Sequence, residues 1–189
     1  MPLIDHFDLL APIYDRAIGP PDREQLQRLL GLPIDGPLLD VGGGTGRVAE
    51  ILQDLGQEVI ILDASLPMLQ QAQAKGLPTI NAYGEHLPFP DGTFERILIV
   101  DAIHHVANVP QVLAEFCRVL RPGTGRLVIE EPDIRYFSIK VIAFLERLFL
   151  MRSRFYDAEH LVRLMHDCDV RTSITRAHRM YWIAVDRNG

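Results

Sequence analysis

The segment Leu39-Asp40-Val41-Gly42-Gly43-Gly44-Thr45-Gly46 constrains this chain more than any other. An apolar run ends on an acid, glycines follow almost without interruption, and a helical pattern starts at once. Val48, Ile51, Leu52 and Leu55 fall at i, i+3, i+4 and i+7 on one apolar face. Glycine at such a strand-to-helix turn permits left-handed backbone and lets a ligand approach bare peptide groups, while the helix amino terminus favours a negatively charged group. This is a turn of the nucleotide-binding kind. A dinucleotide fingerprint started at Gly42 would need glycine at position 47, where Arg47 stands, so the pattern is D-x-G-x-G-x-G.

From residue 37 onward, β-rich runs alternate with helical patterns, the signature of stacked βαβ units and a mostly parallel sheet. Leu38 to Val41, Glu58 to Leu62, Thr79 to Ala82, Arg96 to Val100 and Arg126 to Glu130 predict five strands covered on both faces. A helix through Val112, Leu113, Phe116, Val119 and Leu120 ends at Pro122-Gly123. Further helices are expected from Ser138 to Arg154 and from Asp157 to Asp167. The runs Val170 to Ala177 and Arg179 to Val185 have no crossover helix between them, which predicts an antiparallel hairpin at the sheet edge. Residues 1–36, broken by Pro12, Pro20, Pro21 and Pro33, read as a helical amino-terminal lid on a domain spanning 37–189. At 189 residues the chain has room for one main domain.

Nineteen Lys and Arg against 25 Asp and Glu give a formal net charge of −6, which argues against a nucleic-acid backbone or an anionic membrane as partner and for small molecules or proteins. Cys117 and Cys168 lack any C-x-x-C spacing and read as two reduced thiols in a cytoplasmic-type protein, Cys117 being a helix thiol without chemical consequence. Asp5 and Asp8 occupy the region where a signal peptide needs positive charge, so no export is expected. The apolar stretch from Phe137 to Met151 is interrupted by Lys140, Glu146 and Arg147 and is shorter than the ~18 to 20 residues of a membrane span. It is apolar on more than one face, and a hydrophobic ligand, a second copy in a homodimer, or the amino-terminal lid could cover it.

The D-x-G-x-G-x-G spacing resembles the first motif of class I methyltransferases that use S-adenosylmethionine. The likeness continues through Asp63-Ala64-Ser65-Leu66-Pro67-Met68-Leu69, similar to the D-x-S-x-x-M-L of the type 11, ubiquinone/menaquinone-biosynthesis-like branch. It extends through Leu87-Pro88-Phe89-Pro90-Asp91, through Ile103-His104-His105-Val106, which looks like the family's L-H-H-V, and through Leu120-Arg121-Pro122-Gly123, similar to its turn into the fifth strand. Tyr14-Asp15 resembles an early Y-D. The resemblance implies an α/β, three-layer, Rossmann-like class I methyltransferase fold, with a seven-stranded, mostly parallel sheet ending in an antiparallel hairpin. It implies S-adenosylmethionine as cofactor, S-adenosylhomocysteine as product, and a small-molecule methyl acceptor. The implied cofactor residues are Asp40, Gly42, Gly43, Gly44, Gly46, Asp63 on the ribose, Ala64, Met68 along adenine, Glu85, Asp101 and Tyr14. Tyr83 stands where the family commonly carries an acid for the adenine amino group. Glu85, Tyr83, a backbone group or apolar contacts could take over that task.

His104 and His105 are the candidate catalytic residues. Imidazole titrates near neutrality and could take an acceptor's proton, or the pair could shape the pocket wall. His105 is expected to face the acceptor and His104 to turn back towards the sheet. Adjacent loop histidines are poorly spaced for one metal ion, and no third ligand is evident. His86 is expected to be exposed on a loop. Glu130, Glu131 and Asp133 read first as a solvated loop rim, and alternatively as a group holding a cationic or hydroxyl function of the acceptor. Two rival functions stay open: a non-catalytic S-adenosylmethionine- or nucleotide-binding regulatory module, and a nicotinamide oxidoreductase, which Arg47 and the lack of a Y-x-x-x-K pair disfavour.

Overall fold

Seven strands form one sheet in the order β3-β2-β1-β4-β5-β7-β6. The computed structural model describes residues 22–148 and 153–189, so Tyr14 and most of the expected lid lie outside the described residues. In chain order the elements are α1 (Arg23–Leu30), β1 (Leu38–Val41), α2 (Arg47–Gln53), β2 (Val59–Asp63), α3 (Leu66–Ala74), β3 (Thr79–Asn81) and β4 (Arg96–Val100). A 3₁₀ turn (Ile103–His105), α4 (Val109–Val119), β5 (Arg126–Pro132), α5 (Phe137–Leu148), α6 (Ala158–Leu164), β6 (Val170–Ala177) and β7 (Met180–Arg187) follow. β1 to β5 pair in parallel, and β7 lies antiparallel between β5 and β6, so the expected sheet and its closing hairpin are both present.

The β-period of two sorts each strand onto two cores. Leu38 faces a cluster built with Leu26 and Leu30 of α1, Val48 and Leu52 of α2 and Leu69 and Ala72 of α3. Leu39 and Val41 face the opposite cluster, with Val112, Leu113 and Phe116 of α4, Leu161 of α6 and Ile183 of β7. The described part of the amino-terminal segment is built into the first layer. Leu26 and Leu30 are fully buried, and the Leu30 and Leu29 carbonyls accept hydrogen bonds from the Arg96 and Arg126 guanidiniums (2.5 and 3.1 Å). Both sheet edges are modest: β3 has three residues, and β6 is largely exposed and polar.

Three sequence expectations are corrected. Cys117 and Cys168 are joined in a disulfide rather than standing as reduced thiols. The turn that follows α6 carries Cys168 to α4, with the two α-carbons 6.2 Å apart across a sequence separation of 51, a proximity invisible to local spacing. The helix expected to reach Arg154 does not. By residue 153 the chain is irregular, and the Arg154 N–H donates to the His104 carbonyl (2.7 Å) instead of continuing a helical ladder. Glu130, Glu131 and Asp133 are buried and not a solvated rim, because β5 runs on to Pro132 and pairs with β7 as far as Met180.

Gly46 shows how tightly the first layer is closed. Its φ is +82°, and a Cβ there would lie 2.2 Å from Leu77 Cδ1 and 3.0 Å from Ile61 Cδ1. Gly46→Ala should cost roughly 2 to 5 kcal/mol, from overpacking together with left-handed backbone on a residue bearing a Cβ. Urea denaturation measures it, and an unchanged midpoint would show that α2 does not depend on this approach.

Candidate active site

The carboxyl ends of β1 and β4 lie side by side where the strand order reverses, and open α/β sheets leave a ligand crevice at that point. The glycine loop rises from β1 on one side. There Gly42 N–H donates to the Leu62 carbonyl (2.7 Å), and the Gly43 carbonyl accepts from Gly46 N–H (2.9 Å), closing the turn into α2. Gly44 is different. Its φ is +55°, and the nearest atoms to an added Cβ would be Asp63 Oδ2 at 3.9 Å and Met68 Sδ at 4.0 Å. Gly44 therefore looks into a gap walled by a carboxylate and a thioether.

That wall explains the spacing of Asp63, Ser65 and Met68. Asp63 ends β2, and its two oxygens accept Gly44 N–H (2.9 Å) and Ser65 N–H (2.7 Å), which fixes the carboxylate against the loop. Ser65 caps α3 by accepting Met68 N–H on its hydroxyl (3.3 Å), and this seats Met68 one turn into the helix. Asn81 of β3 donates to the Asp63 and Ala64 carbonyls (both 3.0 Å), holding the strand end from the other side.

Asp40 lies beneath the loop, 1% exposed, and its Oδ2 has no hydrogen-bond partner. Burial, and then the neighbouring Asp63, push its pKa up to about 7, with Arg47 pulling the other way. An orphaned buried carboxylate oxygen under Gly43, next in the chain to the open Gly44, suits a ligand that carries a cation. The residues expected to hold the cofactor thus divide. Asp40, the glycine loop, Asp63, Ala64 and Met68 are gathered at one end of the sheet. Glu85 is half-buried, and its carboxylate accepts the Asn108 N–H at the start of α4 (3.2 Å). Tyr83 and His86 are exposed. Asp101 directly follows β4 with φ of 53° and donates its N–H to the Glu130 carbonyl (3.0 Å). A non-glycine residue held in that region stores strain of ~1–3 kcal/mol and is typical of ligand-facing loops.

The histidine pair occupies the 3₁₀ turn beyond Asp101, with ring centroids 4.0 Å apart. His104 is buried, its Nδ1 is 2.5 Å from Glu131 Oε2, and Phe155 stacks on its ring at 4.4 Å. His105 is partly buried and meets Ser153 Oγ through Nδ1 (3.2 Å). Burial, and secondarily His104, push its pKa down to about 3. Behind them Glu130 accepts Trp182 Nε1–H (2.8 Å), and burial pushes it up to about 7 despite that bond. Sequence reasoning named Glu131 only as part of an acidic trio, without its histidine partner, and missed Phe155, Ser153 and Trp182. The one local signal was the position of Glu131 just past an apolar strand that pairs with β4.

A family profile described as a methyltransferase domain matches residues 39–129. The demethylmenaquinone methyltransferase of Corynebacterium urealyticum is 34% identical over 134 residues, covering 69% of this chain and 56% of that protein. The ubiquinone/menaquinone biosynthesis C-methyltransferase UbiE of Francisella tularensis subsp. novicida is 35% identical over 123 residues, 59% of this chain and 47% of that one. The chain thus spans about half the length of the curated relatives it matches. An S-adenosylmethionine-dependent methyltransferase structure from Thermotoga maritima superposes with a TM-score of 0.78 at 22% identity, covering 98% of this chain and 100% of that one. Sheet order and crevice define a Rossmann-like α/β domain of the methyltransferase type. Over residues 39–129 the chain is similar to the class I S-adenosylmethionine-dependent methyltransferases, and among its relatives are enzymes of the ubiquinone/menaquinone-biosynthesis branch.

The orphaned carboxylate has a pH signature. A carboxyl that titrates near 3.8 unfolded and near 7 folded keeps its proton longer in the native state, so stability falls as pH rises from about 4 to about 7 and then levels. The fall is on the order of 1.4 kcal/mol per pH unit inside that window. Asp40→Asn, which cannot ionise, should exceed wild type in urea-melt stability at pH 8 and converge with it near pH 4. Glu130 titrates in both proteins and cancels in the difference. A pH-independent difference would mean that Asp40 is ionised in the native protein.

Proposed function

We propose that this chain transfers the methyl group of S-adenosylmethionine to a small-molecule acceptor of apolar character. One observation carries the reading: the gap over Gly44, walled by the Asp63 carboxylate and the Met68 sulfur, with the unpartnered Asp40 oxygen beneath the same loop. Asp63 would bind the ribose hydroxyls, Met68 would lie along the adenine, and Asp40 would answer the ammonium of the methionine portion. When bound, S-adenosylmethionine supplies a methyl group activated by a positively charged sulfur. The chain's own task is then to align an acceptor and exclude water, which can supply much of the rate without covalent help.

The acidic net charge favours a small molecule over nucleic acid. An apolar acceptor is favoured by α5, which starts just beyond the carboxyl end of β5 and leaves Phe137, Val141 and Phe144 exposed. The named relatives act in quinone biosynthesis, which makes a reduced quinone ring the first acceptor to test.

Calorimetric titration with S-adenosylhomocysteine should give micromolar binding to wild type and none to Gly44→Leu, whose side chain would fill the gap. Retained affinity in a folded Gly44→Leu protein would overturn the assignment of the loop. Assayed with labelled S-adenosylmethionine, reduced demethylmenaquinone should be methylated and duplex DNA or RNA should not. Methylation confined to nucleic acid would overturn the acceptor class.

A further inference from the structure

Glu131 joins the histidine turn to the sheet in a way the cofactor site does not require. Its backbone is locked in the β5–β7 ladder opposite Tyr181, and its side chain is 2% exposed. One oxygen accepts the Ile103 N–H (2.8 Å), and the other meets His104 Nδ1 (2.5 Å). We propose that Glu131 is a positioning residue that holds His104 as the group that takes a proton from the methyl acceptor. This inference rests on the methyltransferase reading above and adds to it the residue that sets the tautomer and orientation of the base.

The argument is one of tautomer and orientation. An ionised carboxylate can only accept hydrogen bonds, so its contact with Nδ1 places the proton there and makes Nε2 the basic nitrogen. The same contact balances the positive charge that develops on the ring once Nε2 is protonated. Rotation of the ring is restrained by Phe155 stacked at 4.4 Å and 18° and by His105 at 4.0 Å, while the Arg154 N–H holds the backbone carbonyl of His104. The His105 Nδ1 meets the Ser153 hydroxyl, and burial weakens this ring as a base, which leaves it a neutral wall of the pocket.

A carboxylate-backed imidazole has work to do only if the acceptor must lose a proton. The matching class is a phenol or enol, such as a hydroquinone, rather than an amine that is already nucleophilic when neutral. The acceptor O–H bond breaks as the Nε2–H bond forms, and the electron pair released onto the acceptor makes its bond to the methyl carbon. The carbon–sulfur bond breaks with its pair retained on sulfur, and the imidazolium returns its proton to water. For methylation at carbon, the proton on the methylated ring carbon is lost afterwards and the oxygen regains one from solvent, so that one proton is released per turnover.

The test reads the ring before it reads the rate. In ¹⁵N-histidine NMR of the S-adenosylhomocysteine-bound protein, with His104 assigned by the loss of its signals in His104→Gln, wild type should show a far-downfield Nδ1–H proton. In Glu131→Gln the amide should keep the Ile103 bond, donate to Nδ1 and move the ring proton to Nε2. With reduced demethylmenaquinone, kcat should then fall by ~10² or more, with acceptor KM and S-adenosylhomocysteine affinity little changed. A wild-type His104 protonated on Nε2 alone would overturn the proposal even if Glu131→Gln fails to fold. So would a kcat loss without the tautomer change, the result expected of a purely structural carboxylate. Failure of wild type to bind S-adenosylhomocysteine would instead sink the methyltransferase reading, and the catalytic meaning of the pair with it.

Discussion

The parallel pairing of β1 with β4, Leu38 opposite Arg96 and Asp40 opposite Leu98, decides where everything else can go. From β1 the chain winds outward through β2 to β3. It then returns across the sheet to β4 and winds the other way through β5. The loop after β1 and the loop after β4 therefore leave the sheet as neighbours, with Gly42 lying directly against Ala102. β5, paired with β4 from Arg96–Arg126 to Val100–Glu130, brings Glu131 up beside the turn that follows β4. A glycine loop, a strained aspartate, two histidines and a buried glutamate meet because three strands run the same way.

This convergence concentrates acids. Asp40, Glu130, Glu131 and Asp133 are all buried towards one end of the sheet, where desolvation opposes ionisation. Each is managed differently. Asp133 is clamped by the Arg135 guanidinium (2.6 Å), which helps hold its carboxyl below the usual range against the opposing effect of burial. Glu131 is engaged by a backbone N–H and an imidazole, and Glu130 by an indole N–H. Asp40 has an oxygen left over. Arg47, the residue that breaks the dinucleotide fingerprint, partly offsets the rise that burial imposes on Asp40 and Glu130.

What could be read from the sequence was local. The glycine turn and the five parallel strands follow from spacing within a dozen residues, and the D-x-S-x-x-M-L likeness marked the stretch in which Ser65 caps α3 and seats Met68. The strand boundaries fall close to the expected ones, save that β5 extends to Pro132. What escaped was carried by long-range pairs. Glu130 finds Trp182 across 52 positions, Glu131 finds His104 across 27, and Cys117 finds Cys168 across 51. Three acids within four residues look like a wet rim when only their neighbours are considered. The β7 strand that covers them lies far along the chain. His104 is buried with its Nδ1 on Glu131, a partner that could not be named without the β5–β7 register.

The two edges of the sheet bear on how the molecule behaves in a crowd. A long, flat, apolar edge strand is a template on which another chain can add by main-chain hydrogen bonding, the first step towards aggregates. β3 offers only Thr79–Asn81, too short to anchor a stranger. β6 is long enough, but it presents Arg171, Thr172, Ser173 and Thr175 to solvent, and Arg176 is committed to Glu159. Colloidal resistance is thus built in twice, by brevity at one border and by polarity at the other, leaving the crevice end of the sheet to its chemistry.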